Sequence, residues 1–432
     1  MNSKIQKELS ELVQNNIITN DIAQNITSYY LNKQENKPNR LFTVFGVLGS
    51  LLVGLGVILI LAHNWDHFSR ATKTVFAFLP LIIGQIVSGY AIIKKKSATW
   101  REASGTFLFF AIGSSMALVA QIYNIPGDLS SYLLTWTVLS LPLIYLLRSN
   151  AVAILCVVFA TYYAGEFGYS FSSNTKIPWL YLLLILAIIP YYIQLLKSKA
   201  EANITSIFNW LFPLSLTIIL GAFVDKNDDL GFLMYLVMFG LLYNIGKIPF
   251  FNKQKLRRNG YLIIGSLGSV KMLLMASFDT SWYDLKQLGY TTPELYVVLC
   301  LLVITIVLLA YSYMQKWIIN FNPFQYVFII FSALFFTGLI HTIASLIIVN
   351  FLILALGLIT VKIGVDKFHF GVLNYGLLII TALVVCRFFD TDMSYVIRGL
   401  LFVAVGGGFF LTNYIMLKRQ KIRERQSLNN QK

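Results

Sequence analysis

Apolar runs of about twenty residues recur from Leu41 almost to the end of the chain, each closed by charged or turn-forming positions. A helix of that length, rising 1.5 Å per residue, crosses ~30 Å of hydrocarbon. Read against their breaks, the runs predict fourteen helical spans, near 41–63, 71–93, 103–122, 131–147, 150–168, 178–196, 205–224, 230–246, 260–278, 294–315, 323–341, 343–362, 369–387 and 394–417. Two adjoining pairs, around Arg148 and around His341, leave a choice between separate crossings, one long kinked helix and a re-entrant hairpin.

Before the first run the pattern changes. Ile5, Leu9, Leu12 and Val13, then Ile18, Ile22, Ile26 and Tyr29, recur at helical spacing on one stripe. Asn15-Asn16 and Thr19-Asn20-Asp21 interrupt it with short polar side chains suited to starting a new helix. Two short amphipathic helices are expected, followed by a polar linker from Asn32 to Arg40. A cleavable signal peptide needs a basic start followed at once by an apolar stretch and small residues. Residues 1–40 are polar instead, so the first span is expected to stay in the protein. The expected organisation is an all-α polytopic integral membrane protein: a cytoplasmic helical segment over 1–40, a transmembrane domain over 41–417 and a basic cytoplasmic tail over 418–432.

Composition narrows the medium. Of 432 residues, 57% are hydrophobic and 12% charged, whereas a soluble domain carries about 25% charge. Cys156, Cys300 and Cys386 all fall inside apolar runs without CxxC or paired spacing, and read as small packing residues. The net charge of +15 would suit nucleic acid only if the basic residues gathered on one face of a soluble module. They sit between the spans instead, so no nucleic-acid partner is expected. With both termini in the cytoplasm, 26 of the 34 lysines and arginines fall on the inner side and 7 on the outer, and Lys271 alone lies within a span. Translocating such residues is disfavoured, so this asymmetry sets the expected orientation and explains the charge. Small residues mark close helix contacts: Ser50 with Gly54, and Gly265 with Gly268 and Ser269, while Gly406 to Gly408 loosen the last span.

The candidate chemistry gathers on the predicted outer face. Asn64, Trp65 and Asp66 follow the first span, Gln121, Tyr123 and Asp128 the third, Glu166 the fifth, and Arg387, Asp390 and Arg398 flank the last turn of chain across the membrane. Such a set offers carboxylates, cations and aromatic planes to a polar head group or sugar, although aromatic residues at this level also serve as interfacial anchors. Lys271, about midway along its span, is costly in hydrocarbon and should face a partner or water; Glu166, Asp279 and backbone carbonyls are the candidates. His63 and His67 stand four apart, but nothing supplies a third ligand, so no metal is assigned. Gly240 to Lys247 superficially resembles a phosphate loop. Five residues separate its glycines where four are needed, Ile248 replaces the hydroxyl residue and no strand precedes it. No GxSxG, HExxH or kinase-type set occurs, and no cofactor is expected. The sequons at Asn25 and Asn203 fall on the predicted inner side.

Three stretches resemble a bacterial family of predicted membrane proteins catalogued as domain of unknown function 2157: GVLGSLLVGLGVILILAHNWDHFSR at 46–70, QIYNIPGDLSSYLLTWTVLSLPLIYLLRS at 121–149 and NYGLLIITALVVCRFFDTDMSYVIRGLLFVAVGGG at 374–408. The amino-terminal helical pair also resembles that family's short cytoplasmic segment. The resemblance implies a bacterial inner-membrane location, no established activity and no catalytic residue to carry over. Within its motifs the positions to mutate first are Asn64, Trp65, Gln121, Tyr123, Asp128, Arg387, Asp390 and Arg398. The leading expectation is a transporter or flippase-like protein for an amphiphilic or envelope-related solute, with an envelope lipid or glycan as substrate. The alternatives are a membrane enzyme using Asp66, Asp128 and Asp390 on a lipid-linked substrate, and a scaffold subunit whose residues 1–40 dock a cytoplasmic protein.

Overall fold

The structure is a computed structural model that describes residues 3–15, 17–35, 65–169, 177–224, 228–278, 293–318, 321–338, 342–390 and 395–429, with no strand among them. The chain divides into two compact units, Met1–Ala77 and Phe78–Lys432. In the first, α1 (Ser3–Gln14) and α2 (Asn20–Glu35) contact each other as the expected pair, broken where Asn15 to Thr19 predict it. The second helix runs to Glu35, so the polar segment predicted from Asn32 is helical at its start. The predicted span 41–63, with its Ser50–Gly54 face, lies outside the described residues. A single 3-10 turn, Trp65–His67, precedes α3 (Arg70–Ile93).

The second unit continues with α4 (Ala98–Tyr123), α5 (Leu129–Leu147), α6 (Asn150–Gly168), α7 (Trp179–Ser198), α8 (Asn203–Leu220), α9 (Asp228–Lys247), α10 (Gly260–Ala276), α11 (Pro293–Met314), α12 (Val327–Gly338), α13 (Thr342–Asp366), α14 (Phe370–Asp390) and α15 (Tyr395–Asn429). Eleven of the described helices are long and apolar enough to cross a membrane, and α10 and α12 are shorter apolar helices. At Arg148 the choice resolves into two helices. Arg148 takes a left-handed conformation (φ 50°, ψ 46°) that ends α5, and the Ser149 side chain accepts from the Val152 amide to start α6. On either side of the second doubtful break, α12 and α13 are separate helices, the Ser345 hydroxyl on α13 donating to the Leu334 carbonyl on α12 at 3.1 Å. Eleven residues of continuous helix would separate those groups by about 16 Å.

In the segment predicted as a span over 323–341, of which residues 339–341 lie outside the described set, Asn322 accepts from the Phe324 amide and Pro323 opens a 3-10 turn, after which α12 covers Val327–Gly338. Its neighbour α9 is the enclosed centre: 72% of its apolar window is buried, against 6% for α15. Glycine makes that centre close. A Cβ on Gly265 of α10 would stand 2.5 Å from the Tyr243 nitrogen of α9, and one on Gly268 would lie 2.3 Å from the Phe239 ring. Backbones meeting this closely gain dispersion contacts that lipid cannot supply. Among the described residues nothing lies within 4 Å of a Cβ built on Gly406, Gly407 or Gly408.

Cross-links between helix ends follow one rule. Ser149 and Asn150 bond Glu102, Tyr191 bonds Asn150, Arg258 bonds Asn203, and Arg387 bonds Ser277. Every pair joins ends that the predicted alternation puts on the same side. The contacts thus agree with its parity, while the choice of the basic side as cytoplasmic rests on the 26-to-7 count of lysine and arginine.

Candidate functional site

The outer-face candidates divide into separate settings. Asn64 lies outside the described residues. Trp65 and Asp66 sit in the 3-10 turn, where Asp66 is exposed and the Lys73 ammonium stands 5.7 Å from the Trp65 ring. Gln121 and Tyr123 are exposed in the last turn of α4, and Glu166 is exposed near the end of α6. Asp128 is a helix cap. One carboxylate oxygen accepts from the Ser131 amide at 2.6 Å and the Ser130 hydroxyl at 2.7 Å, and the other from the Ser131 hydroxyl at 3.1 Å. Asp128 also lines a groove of about 690 Å³ with Gln85, Ser115, Tyr132 and Thr135, walled by α3, α4 and α5. Neither Glu166 nor Arg387 contributes to that groove. Arg387, on α14, donates to the Ser277 hydroxyl at 3.2 Å and lies 5.1 Å from the Phe278 ring. Asp390 ends α14 and Arg398 belongs to α15, with side chains outside the described set.

Lys271 is exposed on α10 at the twelfth of its seventeen positions. It therefore stands nearer the end of its helix than the predicted span implied. Its expected partner Asp279 lies outside the described residues.

The larger concave site is at the opposite, basic end of the second unit. Two lobes of about 660 Å³ each meet at Lys247, Asn252, Asn322, Ile363 and Lys367. Lys247 closes α9 because Pro249 follows one residue on: proline excludes the residue before it from the helical region, and Ile248 takes φ −53°, ψ 137°. Lys367 is placed by the turn between α13 and α14, where Phe368 adopts a left-handed φ of 52°. The turn is tight because Gly364 meets the Leu373 amide with no side chain between, a Cβ there falling 2.4 Å from that nitrogen.

Buried amides hold the walls. Asn244 donates to the Gly240 and Gln325 carbonyls at 2.9 and 3.1 Å, tying α9 to the Pro323–Gln325 turn. Asn322 donates to the Tyr243 hydroxyl at 2.8 Å and accepts from the Phe324 amide at 3.1 Å. Asn259 donates to the Gly246 carbonyl at 2.8 Å and caps α10 by accepting from Leu262 at 3.1 Å. With these groups mutually satisfied, the frame is rigid in the way buried polar networks are. Around it, Trp317, Phe321 and Ile359 line one lobe, and Ile263, Leu267 and Phe324 the other. The lysines lining the lobes are Lys247, Lys255, Lys362 and Lys367, against the one carboxylate of Asp366. Apolar walls under a cationic rim suit an amphiphile with an anionic head.

Sequence reasoning passed over this site because it absorbed those lysines into the topology count. The available signal was the recurrence of asparagine at 244, 252, 259 and 322, at helix ends that the alternation puts on one side.

The model of a family described as predicted membrane protein (DUF2157) matches residues 10–153. The match takes in Trp65, Asp66, Gln121, Tyr123 and Asp128, two of the three resembling stretches, and none of the basic cavity. No curated protein and no solved structure matches the chain.

Proposed function

We propose that the protein is a carrier, transporter or flippase-like, for an anionic amphiphile in the bacterial cytoplasmic membrane. The two-lobed cavity, cationic at its rim and apolar in its walls, is the observation that carries this reading. Lys271 extends it. Leu267, which lines the inner wall of one lobe, is followed four residues later by Lys271 on the same face of α10. That places a further cation about 6 Å along the helix from Leu267, away from the lysines that line the lobes. A head group leaving the rim thus has a charge to move toward, and the cost of an ammonium in lipid is offset when an anion visits it.

Reconstitution into liposomes tests this. A fluorescent anionic phospholipid placed in one leaflet, with loss of signal to an impermeant quencher as readout, should redistribute faster in the presence of the protein. Lys247→Met should slow it at least tenfold, as expected for loss of a charged hydrogen bond. Redistribution no faster than in protein-free liposomes, with neither lipid nor glycan precursors moved, would remove the carrier reading. The enzyme alternative has less support, because the Asp128 oxygens are already engaged in capping α5.

A further inference from the structure

We infer that the basic cavity is a phosphoryl-recognition site, built for a head group with two negative charges such as a lipid phosphate monoester or diphosphate; this deepens the carrier reading and rests on the same site. The argument is one of unmatched donors. The amides of Asn244, Asn259 and Asn322 are consumed by the frame, as described above. Tyr375 accepts from the Ser266 hydroxyl at 2.9 Å and Tyr243 accepts from Asn322 at 2.8 Å, so each phenol keeps its own proton to donate. Gln254 lines the same lobe, and its amide nitrogen is buried without a hydrogen-bond partner. Its oxygen is already approached by Asn209 at 3.5 Å. A buried donor left unmade costs free energy that an acceptor-rich ligand recovers.

The cations set the charge of that ligand. The Lys247 ammonium stands 5.5 Å from the Tyr243 ring, and Lys367 lines the same junction between the two lobes. Two ammonium groups sharing one junction between lobes are best relieved by a dianion. A carboxylate brings one charge and two oxygens, whereas a phosphate monoester brings about −1.5 to −2 and three acceptor oxygens. Lysine binds phosphate as a point charge with rotatable donors, so it needs no planar fork. The apolar wall formed by Ile263, Leu267 and Phe324 then takes the first part of the chain attached to the head group.

The test is titration calorimetry on the full-length protein in neutral maltoside micelles. Four probes are compared: dioctanoyl phosphatidic acid, dioctanoyl phosphatidylglycerol, dioctanoyl phosphatidylcholine and inorganic phosphate. The monoester should bind at least tenfold more tightly than the glycerol diester and the zwitterion. Lys247→Met and Lys367→Met should each weaken it about tenfold, and Gln254→Leu should weaken it less. Lys418→Met with Arg419→Met, in the basic tail, should leave it unchanged. The conservative Lys247→Arg, with an unchanged unfolding temperature, separates loss of charge from loss of fold. Inorganic phosphate binding as tightly as the lipid would support the phosphoryl site and make its ligand a soluble anion. Monoester binding equal to that of phosphatidylcholine, or undiminished in both methionine variants, would overturn the inference. Tight monoester binding without movement in liposomes would uphold the site and remove only the carrier reading.

Discussion

Two carboxylates show how a charged residue near a membrane edge acts through the backbone. Glu102 reaches from α4 to the first turn of α6, accepting from the Ser149 hydroxyl at 2.5 Å, the Asn150 and Ala151 amides at 2.9 Å and the Asn150 side chain at 2.7 Å. A negative group there satisfies orphan amides and complements the positive end of the helix. Glu102→Ala should therefore cost about 2–3 kcal/mol, read as a lower unfolding temperature in detergent. Asp128 caps its own helix and should cost about 1 kcal/mol on truncation to alanine, with Asp128→Asn close to the native protein. Loss of activity in Asp128→Asn with unfolding unchanged would instead revive the catalytic reading. Lys271 differs from both. Lys271→Met should leave folding and head-group binding intact while slowing transport, and an active Met variant would remove Lys271 from the path.

At the scale of helices, close packing and capping divide the labour. The contact of α9 with α10 depends on Gly265 and Gly268, and that of α13 with α14 on Gly364 and Gly376, where a Cβ would fall 2.6 Å or less from a backbone nitrogen or a neighbouring ring. Gly265→Leu should thus force α9 and α10 apart and destabilise the protein by about 1–3 kcal/mol or more. Gly407→Leu, where no described residue lies within 4 Å of the added Cβ, should leave the unfolding temperature nearly unchanged. Equal effects of the two substitutions would show that lipid, rather than helix contact, dominates the central packing. The 3-10 turn Pro323–Gln325 beside the cavity leads into α12, and Phe328 of α12 lies against Gly240 of α9, where a Cβ would fall 2.6 Å from its side chain.

For the whole molecule, the arrangement of helix ends gives the site its sign. If the basic ends are cytoplasmic, a single cysteine at Lys253 or Lys316 in a cysteine-free background should react with an impermeant maleimide only from inside, and one at Asn124 only from outside. Labelling of Asn124 from the cytosol would reverse the sidedness and with it the direction in which the cavity opens. Much of this was legible in the chain by itself. Hydropathy and run length located the helices, because each span must satisfy its own backbone in lipid and so depends on local residues alone. The amino-terminal pair was readable for the same reason, and the small residues Gly265, Gly268 and Ser269 marked a contact face without its partner, whereas the break at Arg148 stayed open until the structure showed the left-handed residue that ends α5. The cavity was not. Its lysines come from α9, the loop before α10 and the end of α13, more than a hundred residues apart in sequence at the extremes. Only the packing of α12 on α9 and of α13 on α10 brings Lys367 to the cavity that Lys247 lines, and only that packing decides which amides are consumed by the frame and which donors remain for a ligand.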